Sequence, residues 1–134
     1  MKTDAMQDIG IAKTLDLSYE HAIEKVTARL KDQGFGVLTE IDVKATLKEK
    51  IGADFRRYKI LGACNPPFAH KALEAELNVG LMMPCNVIVY ETDDGRVQVT
   101  GFNPEAMLSA FGRPDLKDIA VAIRDRMRTA IEGL

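Results

Sequence analysis

The sequence is poor in the residues that usually announce a chemistry. Its 134 residues include two cysteines and two histidines, and no Cys-x-x-Cys or His-x-x-x-His pair sets a chelating spacing. No Gly-x-Gly-x-x-Gly loop and no Gly-rich nucleophile elbow occurs, so the usual marks of dinucleotide binding and of acyl hydrolysis are missing. No apolar run approaches the roughly 20 residues that span a bilayer. The opening octet, Met1 to Asp8, carries no apolar core of a secretory signal. Neither sign of charge dominates: 18 Lys and Arg stand against 20 Asp and Glu, with a pI near 5.7. That balance exerts no global pull on nucleic acid or on an anionic membrane. Two thiols in such a chain suit a reducing compartment, and the expectation is a cytoplasmic protein with free cysteines.

What is present is an ordinary folding pattern. Apolar residues make up 46% and charged residues 28%, the balance of a single folded domain of 1–134. Ile9, Ile11, Leu15 and Leu17 alternate as a half-buried strand, with Lys13 the one misfit. Ser18 stands as an N-cap, Glu20 suits the first turn, and Tyr19, Ala22, Ile23, Val26 and Leu30 make a helical stripe up to Gly34. Phe35, Val37, Thr39 and Ile41 alternate again, and Asp42 caps a short helix over 43–51 that Gly52 ends. A third strand over 58–64 runs into Asn65-Pro66-Pro67, and a helix over 67–77 follows. A fourth strand is expected over 81–91, then an Asp93-Asp94-Gly95 hairpin turn and a return strand over 96–102. A short helix over 105–111 and a long one over 115–132, striped by Leu116, Ile119, Ala120, Ile123, Met127 and Ile131, complete the chain.

Strands that include a hairpin do not fit repeated βαβ units. The predicted fold is α+β: a two-layer sandwich, with a mostly antiparallel sheet of five or six strands and two long helices on one face. Leu38, Leu61, Ile88 and Tyr90 make the second sheet face partly apolar, as a homodimer contact or a ligand groove would.

The unusual stretch is Gly62 to Asn86. It holds both cysteines, each followed by asparagine (Cys64-Asn65, Cys85-Asn86), together with His70 and three of the five prolines. If the strands ending at Cys64 and beginning near Met83 are antiparallel neighbours, the two thiols lie close. On this reading they share the face of Ile60, Val87 and Val89, and His70 overhangs both. Several uses of such a corner are open. The cysteines could be small buried apolar residues and the asparagines turn-formers. Cys64, Asn65, Phe68, Met83, Cys85 and Asn86 could instead line a pocket for a small molecule, with Met82 as a further wall. Cys64, His70 and Cys85 could hold a soft metal ion or a haem iron, or the thiols could form a reversible disulfide. Catalysis by a Cys–His pair has no supporting motif.

Other features have plainer readings. His21 falls on the solvent side of the first helix. Lys44, Lys48, Lys50, Arg56, Arg57 and Lys59 are interrupted by Glu49 and Asp54 and have no interleaved aromatics, which describes a solvated face rather than an RNA contact.

The runs Cys64-Asn65-Pro66, Leu73-Glu74-Ala75 and Leu81-Met82-Met83-Pro84-Cys85-Asn86-Val87 resemble domain-of-unknown-function family 302. Lys44-Ala45-Thr46-Leu47 and Gly62-Ala63 extend the resemblance, which runs from Phe35 to Pro104. It implies a TATA-binding-protein-like α+β fold, often dimeric, and no established activity. His70 departs from what the family commonly carries after Pro-Pro-Phe-Ala, so the resemblance does not make it a ligand. The combined expectation is a homodimeric domain that binds a small ligand at the corner, without catalysis and without a resident cofactor. The alternatives are a thiol or soft-metal protein using Cys64 and Cys85, and a purely structural dimerisation module.

Overall fold

The computed structural model describes residues 9–109 and 111–134. The octet read above for a leader, and Ala110 of the predicted short helix, lie outside the described residues. The order of elements is β1 (Gly10–Leu15), α1 (Tyr19–Asp32), β2 (Gly36–Asp42), α2 (Val43–Ile51), β3 (Tyr58–Cys64) and α3 (Pro66–Ala75). A 3₁₀ helix (Leu77–Met82), β4 (Cys85–Glu91), β5 (Val97–Phe102), α4 (Glu105–Ser109) and α5 (Pro114–Glu132) follow. Five strands form one sheet in the order β1-β5-β4-β3-β2, every pair antiparallel. The helices α1 and α5 cover one face, so the chain is a two-layer α+β sandwich.

Local chemistry sets the ends of these elements. The Ser18 hydroxyl accepts from the His21 amide at 3.1 Å and starts α1, while Gly34, at φ +87°, turns the chain out of it. The Asp42 carboxylate accepts from the Ala45 amide at 3.0 Å and starts α2, which Gly52 closes in the left-handed region. The β4–β5 turn closes with the Thr92 amide on the Arg96 carbonyl at 2.8 Å. Gly95, at φ +82°, supplies the conformation that an Asp-Gly turn needs.

The boundaries around the 3₁₀ helix differ most from the sequence reading. The fourth strand begins at Cys85 rather than Leu81, because Leu77–Met82 winds into 3₁₀ turns and Pro84 has no amide to give to a ladder. The preceding helix stops at Ala75 rather than Leu77: Glu76 is extended, and its carboxylate accepts from the Asn78 amide at 3.0 Å. Leu81, expected as the first residue of the strand, is mostly exposed.

The main core lies between sheet and helices. Leu61, Val87, Val89 and Val99 from the sheet meet Ala22, Val26 and Leu30 of α1 and Met127 and Ile131 of α5. Each fully buried aliphatic side chain there contributes about 1.5–3 kcal/mol of transfer free energy. A smaller cluster, Ala72, Val79, Leu108, Leu116 and Ala120, sits beside it under α3, and Ile119 packs against both. Lys13, the misfit of β1, has a use. It points to the helix side opposite Val99, and its ammonium donates to the carbonyls of Glu132 at 2.9 Å and Leu134 at 2.7 Å. It thereby ties the end of α5 to the edge strand, a favoured place for a cation.

Candidate functional site

The geometry of the corner follows from the register of β3 on β4. Ala63 pairs with Cys85, Gly62 with Asn86, and Leu61 with Val87. Paired residues of an antiparallel ladder share a face, so Cys85 points to the helix layer with Leu61 and Ala63. Asn86 points to the open face with Gly62. The expected face is right for Cys85, which lies with Val87 and Val89, and wrong by one residue for β3: Ile60 pairs with Ile88 on the opposite face, and the helix side of β3 is that of Leu61 and Ala63. A strand apolar on both sides offers no alternation by which to choose the face.

Cys64 is the last residue of β3, where the chain leaves the sheet for α3, and it still reaches the same space as Cys85. The two cysteines line one small cavity of about 40 Å³ that lies between the two hydrophobic clusters. Its walls come from Phe35, Ala69 and Ala72 of α3, Val79 and Met82 of the 3₁₀ helix, Leu108 of α4 and Ile123 of α5. Met83 and Pro84 close it beside Cys85, and Asn65 is its one amide. The cavity is thus formed by the element sequence that follows the Cys64-Asn65 pair, folded back over the sheet.

Of the residues singled out in the sequence, Cys64, Asn65, Met83 and Cys85 come together there. Phe68 packs on the main core, with the Arg126 guanidinium 5.5 Å from its ring centre, and does not line the cavity. Asn86 is exposed on the other side of the sheet. His70 is exposed too; its Nε2 lies 3.0 Å from a Glu74 carboxylate oxygen, and it does not overhang the thiols. The ligand set Cys64/His70/Cys85 is not assembled, because His70 stands on the solvent side of α3. Among the described residues, no group of three or more His, Cys, Asp and Glu is placed to hold a metal ion.

Asn65 is the one buried polar residue of the described core. Its Nδ2 donates to the Gln33 carbonyl at 3.2 Å, and the Arg126 guanidinium reaches the same oxygen at 3.4 Å. It starts α3 as a backbone N-cap with no side-chain cap bond, so its amide is spent on fastening the α1–β2 turn to the corner. Both cysteines are free. Burial pushes the Cys85 thiol up to about 11, and the neighbouring Cys64 adds to the shift. Cys85 is accordingly a protonated, poorly nucleophilic thiol at neutral pH.

Opposite the cavity wall, the Pro84 ring lies over Gly62. A Cβ on Gly62 would stand 2.8 Å from Pro84 Cγ and 2.1 Å from Thr39 Oγ1, so only glycine lets β2, β3 and the Met83-Pro84 segment meet. The Met83-Pro84 peptide is cis. Val79, Ala72 and Leu108 were not legible as site residues. They are plain apolar positions whose meeting depends on how the 3₁₀ helix and α4 fold over α3.

The basic cluster is largely paired. Lys48 meets Asp54, Arg56 meets Asp93, Arg57 meets Glu20 and Lys59 meets Glu40, while Lys44 donates to the Phe55 carbonyl. No helix among the described residues is long and apolar enough to cross a membrane.

Comparison with known proteins agrees with this architecture. The pattern of the family described as "Domain of unknown function DUF302" matches residues 11–134. No curated protein matches the chain. A solved structure of an uncharacterized conserved protein DUF302 from Bacillus stearothermophilus superposes with a TM-score of 0.85 at 31% identity, covering 92% of this chain and 96% of that one. With the family pattern reaching from within β1 to the end of α5, the chain belongs to the DUF302 family, whose function is unknown.

Proposed function

We propose that this domain is a binding protein without chemistry of its own, and that its site is the cavity under the Cys64–Cys85 corner. One observation carries the reading: two thiols and an amide are brought to a space that the two apolar clusters leave between them. A packed interior normally leaves few voids larger than a water molecule. The size of the space limits the ligand. A cavity of about 40 Å³ is well below the ~150 Å³ that holds benzene and the several hundred that hold a drug-sized molecule. The ligand is therefore an ion or a molecule of a few atoms, and a porphyrin is too large for it. The protonated state of Cys85 favours binding over nucleophilic catalysis. Free thiols suit a reducing compartment such as the cytoplasm.

The test compares native and denatured masses of the freshly purified chain with those of Ala72→Leu, which fills the cavity from α3. The reading expects extra mass on the native wild type, lost on denaturation and absent from the variant. A bare native mass, together with a variant more stable than wild type, would show a packing void and overturn it.

A homodimer is the second element of the proposal, and the edge of the sheet supports it. Strand β2 is an edge strand with Leu38 68% and Ile41 48% exposed, and α2 beside it buries no residue and leaves Ile51 73% exposed. A partner copy would cover these side chains and the open edge. Sedimentation of wild type and Ile41→Glu should give a dimer and a monomer; a monomeric wild type at micromolar concentration refutes it.

A further inference from the structure

The chemistry lining the cavity is narrower than that of a general pocket. Besides Cys64 and Cys85 it presents Met82 and Met83, so four sulfur-bearing side chains border a space of about 40 Å³. No carboxylate and no imidazole lines it: His70 and Glu74 pair with each other at the surface of α3. Hard cations such as Mg²⁺ and Ca²⁺ need oxygen ligands, and Zn²⁺ sites are usually completed by four Cys or His ligands. Thiolate and thioether donors select Cu(I), which accepts low coordination numbers. The apolar walls, from Phe35, Val79, Leu108 and Ile123, favour an ion that enters stripped of its water.

We propose that the cavity is a Cu(I) site, with the Cys64 and Cys85 sulfurs as its thiolate ligands and the Met82/Met83 pair supplying thioether. The inference rests on the binding reading above and names the ligand. Binding exchanges two S–H bonds for two Cu–S bonds and releases two protons to solvent. Copper enters and remains as Cu(I), so no oxidant or reductant is needed.

The sulfurs reach the site by two routes. The β3–β4 ladder sets the cysteines, since Ala63 opposite Cys85 leaves Cys64 one residue beyond at the strand end. The methionines come from the 3₁₀ helix and the residue after it, held by the Met83 amide on the Gly80 carbonyl at 3.3 Å. The site would thus join the sheet to the segment that folds over it, and the bound ion would fasten them together.

The experiment is an anaerobic titration of the whole chain with Cu(I), in competition with a chromophoric Cu(I) chelator. X-ray absorption is then recorded on the loaded protein. The proposal expects one Cu(I) per chain, a coordination sphere of sulfur alone, and a rise in melting temperature on loading. Loss of an outer-shell partner typically weakens a metal site 10–100-fold, so loss of a direct ligand in Cys64→Ser or Cys85→Ser should cost about 100-fold or more. Replacing a partly buried cysteine could unfold the chain. Met82→Leu/Met83→Leu, which keeps volume and apolarity, therefore serves as the second variant. It should weaken Cu(I) by about 10-fold and leave the melting temperature of the metal-free chain within about 2 °C. His70→Ala should change nothing. The proposal is overturned if the folded chain binds Cu(I) no more tightly than the chain unfolded in urea, or if nitrogen or oxygen dominates the coordination sphere. If Cu(I) is rejected while the native mass still carries a small adduct that Ala72→Leu removes, the metal is wrong and the binding site stands. If neither binds, both readings fall.

Discussion

Gly62→Ala should damage this protein from a position that looks innocuous in the sequence. Gly62 is buried in the middle of β3, opposite Asn86, and its Cα faces the Pro84 ring and the Thr39 side chain. A methyl group there meets Pro84 Cγ at 2.8 Å, where ordinary contact begins near 3.4 Å, and Thr39 Oγ1 at 2.1 Å. The threonine can escape by turning about χ1, a move that costs about 0.5–1.5 kcal/mol if it ends off-rotamer. The proline ring cannot turn, so the Met83-Pro84 segment or strand β3 must shift. Overpacking of this kind costs about 1–3 kcal/mol. In a domain of this size 2 kcal/mol lowers the melting temperature by about 6–10 °C. Urea denaturation at fixed temperature and a thermal melt should agree on the loss. Thr39→Ala combined with Gly62→Ala should recover the threonine share and leave the Pro84 share. Gly36→Ala is the control, because nothing stands within 4 Å of its Cβ position. It should stay within about 0.5 kcal/mol of wild type. The packing argument fails if Gly62→Ala is as stable as that control. Because the displaced segment is a wall of the cavity, the variant should also lose ligand.

Three further outcomes follow from the same contacts. Cys85, with its thiol at about 11 against an ordinary 9, should alkylate about 100-fold more slowly at pH 8 in the folded chain than after unfolding. Its rate should climb tenfold per pH unit until about 11; equal rates in folded and unfolded protein would refute the burial account. The sign for stability is the same: the folded state holds this proton more tightly than the unfolded chain, so its contribution is full below pH 9 and lost as pH rises through 11. Asn65→Ala should cost about 1–2 kcal/mol by removing the bond to the Gln33 carbonyl, and hydrogen exchange should quicken around Gln33 and Gly34. Lys13→Met should cost about 1 kcal/mol and free the end of α5, which proteolysis near Glu132 would report; unchanged cleavage would refute the tie.

Much of the fold was legible because period and punctuation agreed. Ser18 and Gly34 bracket a helix whose apolar stripe becomes the buried set Tyr19, Ala22, Val26 and Leu30. Asp42 and Gly52 set the ends of α2, although that helix buries no residue, and the turn at Gly95 gave the β4–β5 hairpin. Legibility ended where residues were apolar on every side. Leu61 and Ala63 compete equally with Ile60 and Gly62 for the core, so the inward face of β3 could not be read from alternation, whereas that of Cys85 with Val87 and Val89 could. Leu81 and Met82, read as the start of the fourth strand, belong instead to the 3₁₀ turns of 77–82, with Leu81 88% exposed. At the corner, Cys64, Asn65, Met83 and Cys85 stood out by type. Val79, Ala72 and Leu108 did not, because an apolar residue that lines a cavity has the same local signature as one that fills a core.

The central claim is that both thiols open on one small, accessible cavity, and a crystal pressurised with xenon tests it directly. Xenon enters dry apolar cavities and is located by its own scattering. The account predicts one xenon site bounded by Cys85, Val79 and Leu108, with the Cys64 sulfur on its rim. Density that shows the space filled by neighbouring side chains, with no xenon between the two cysteines, would contradict it.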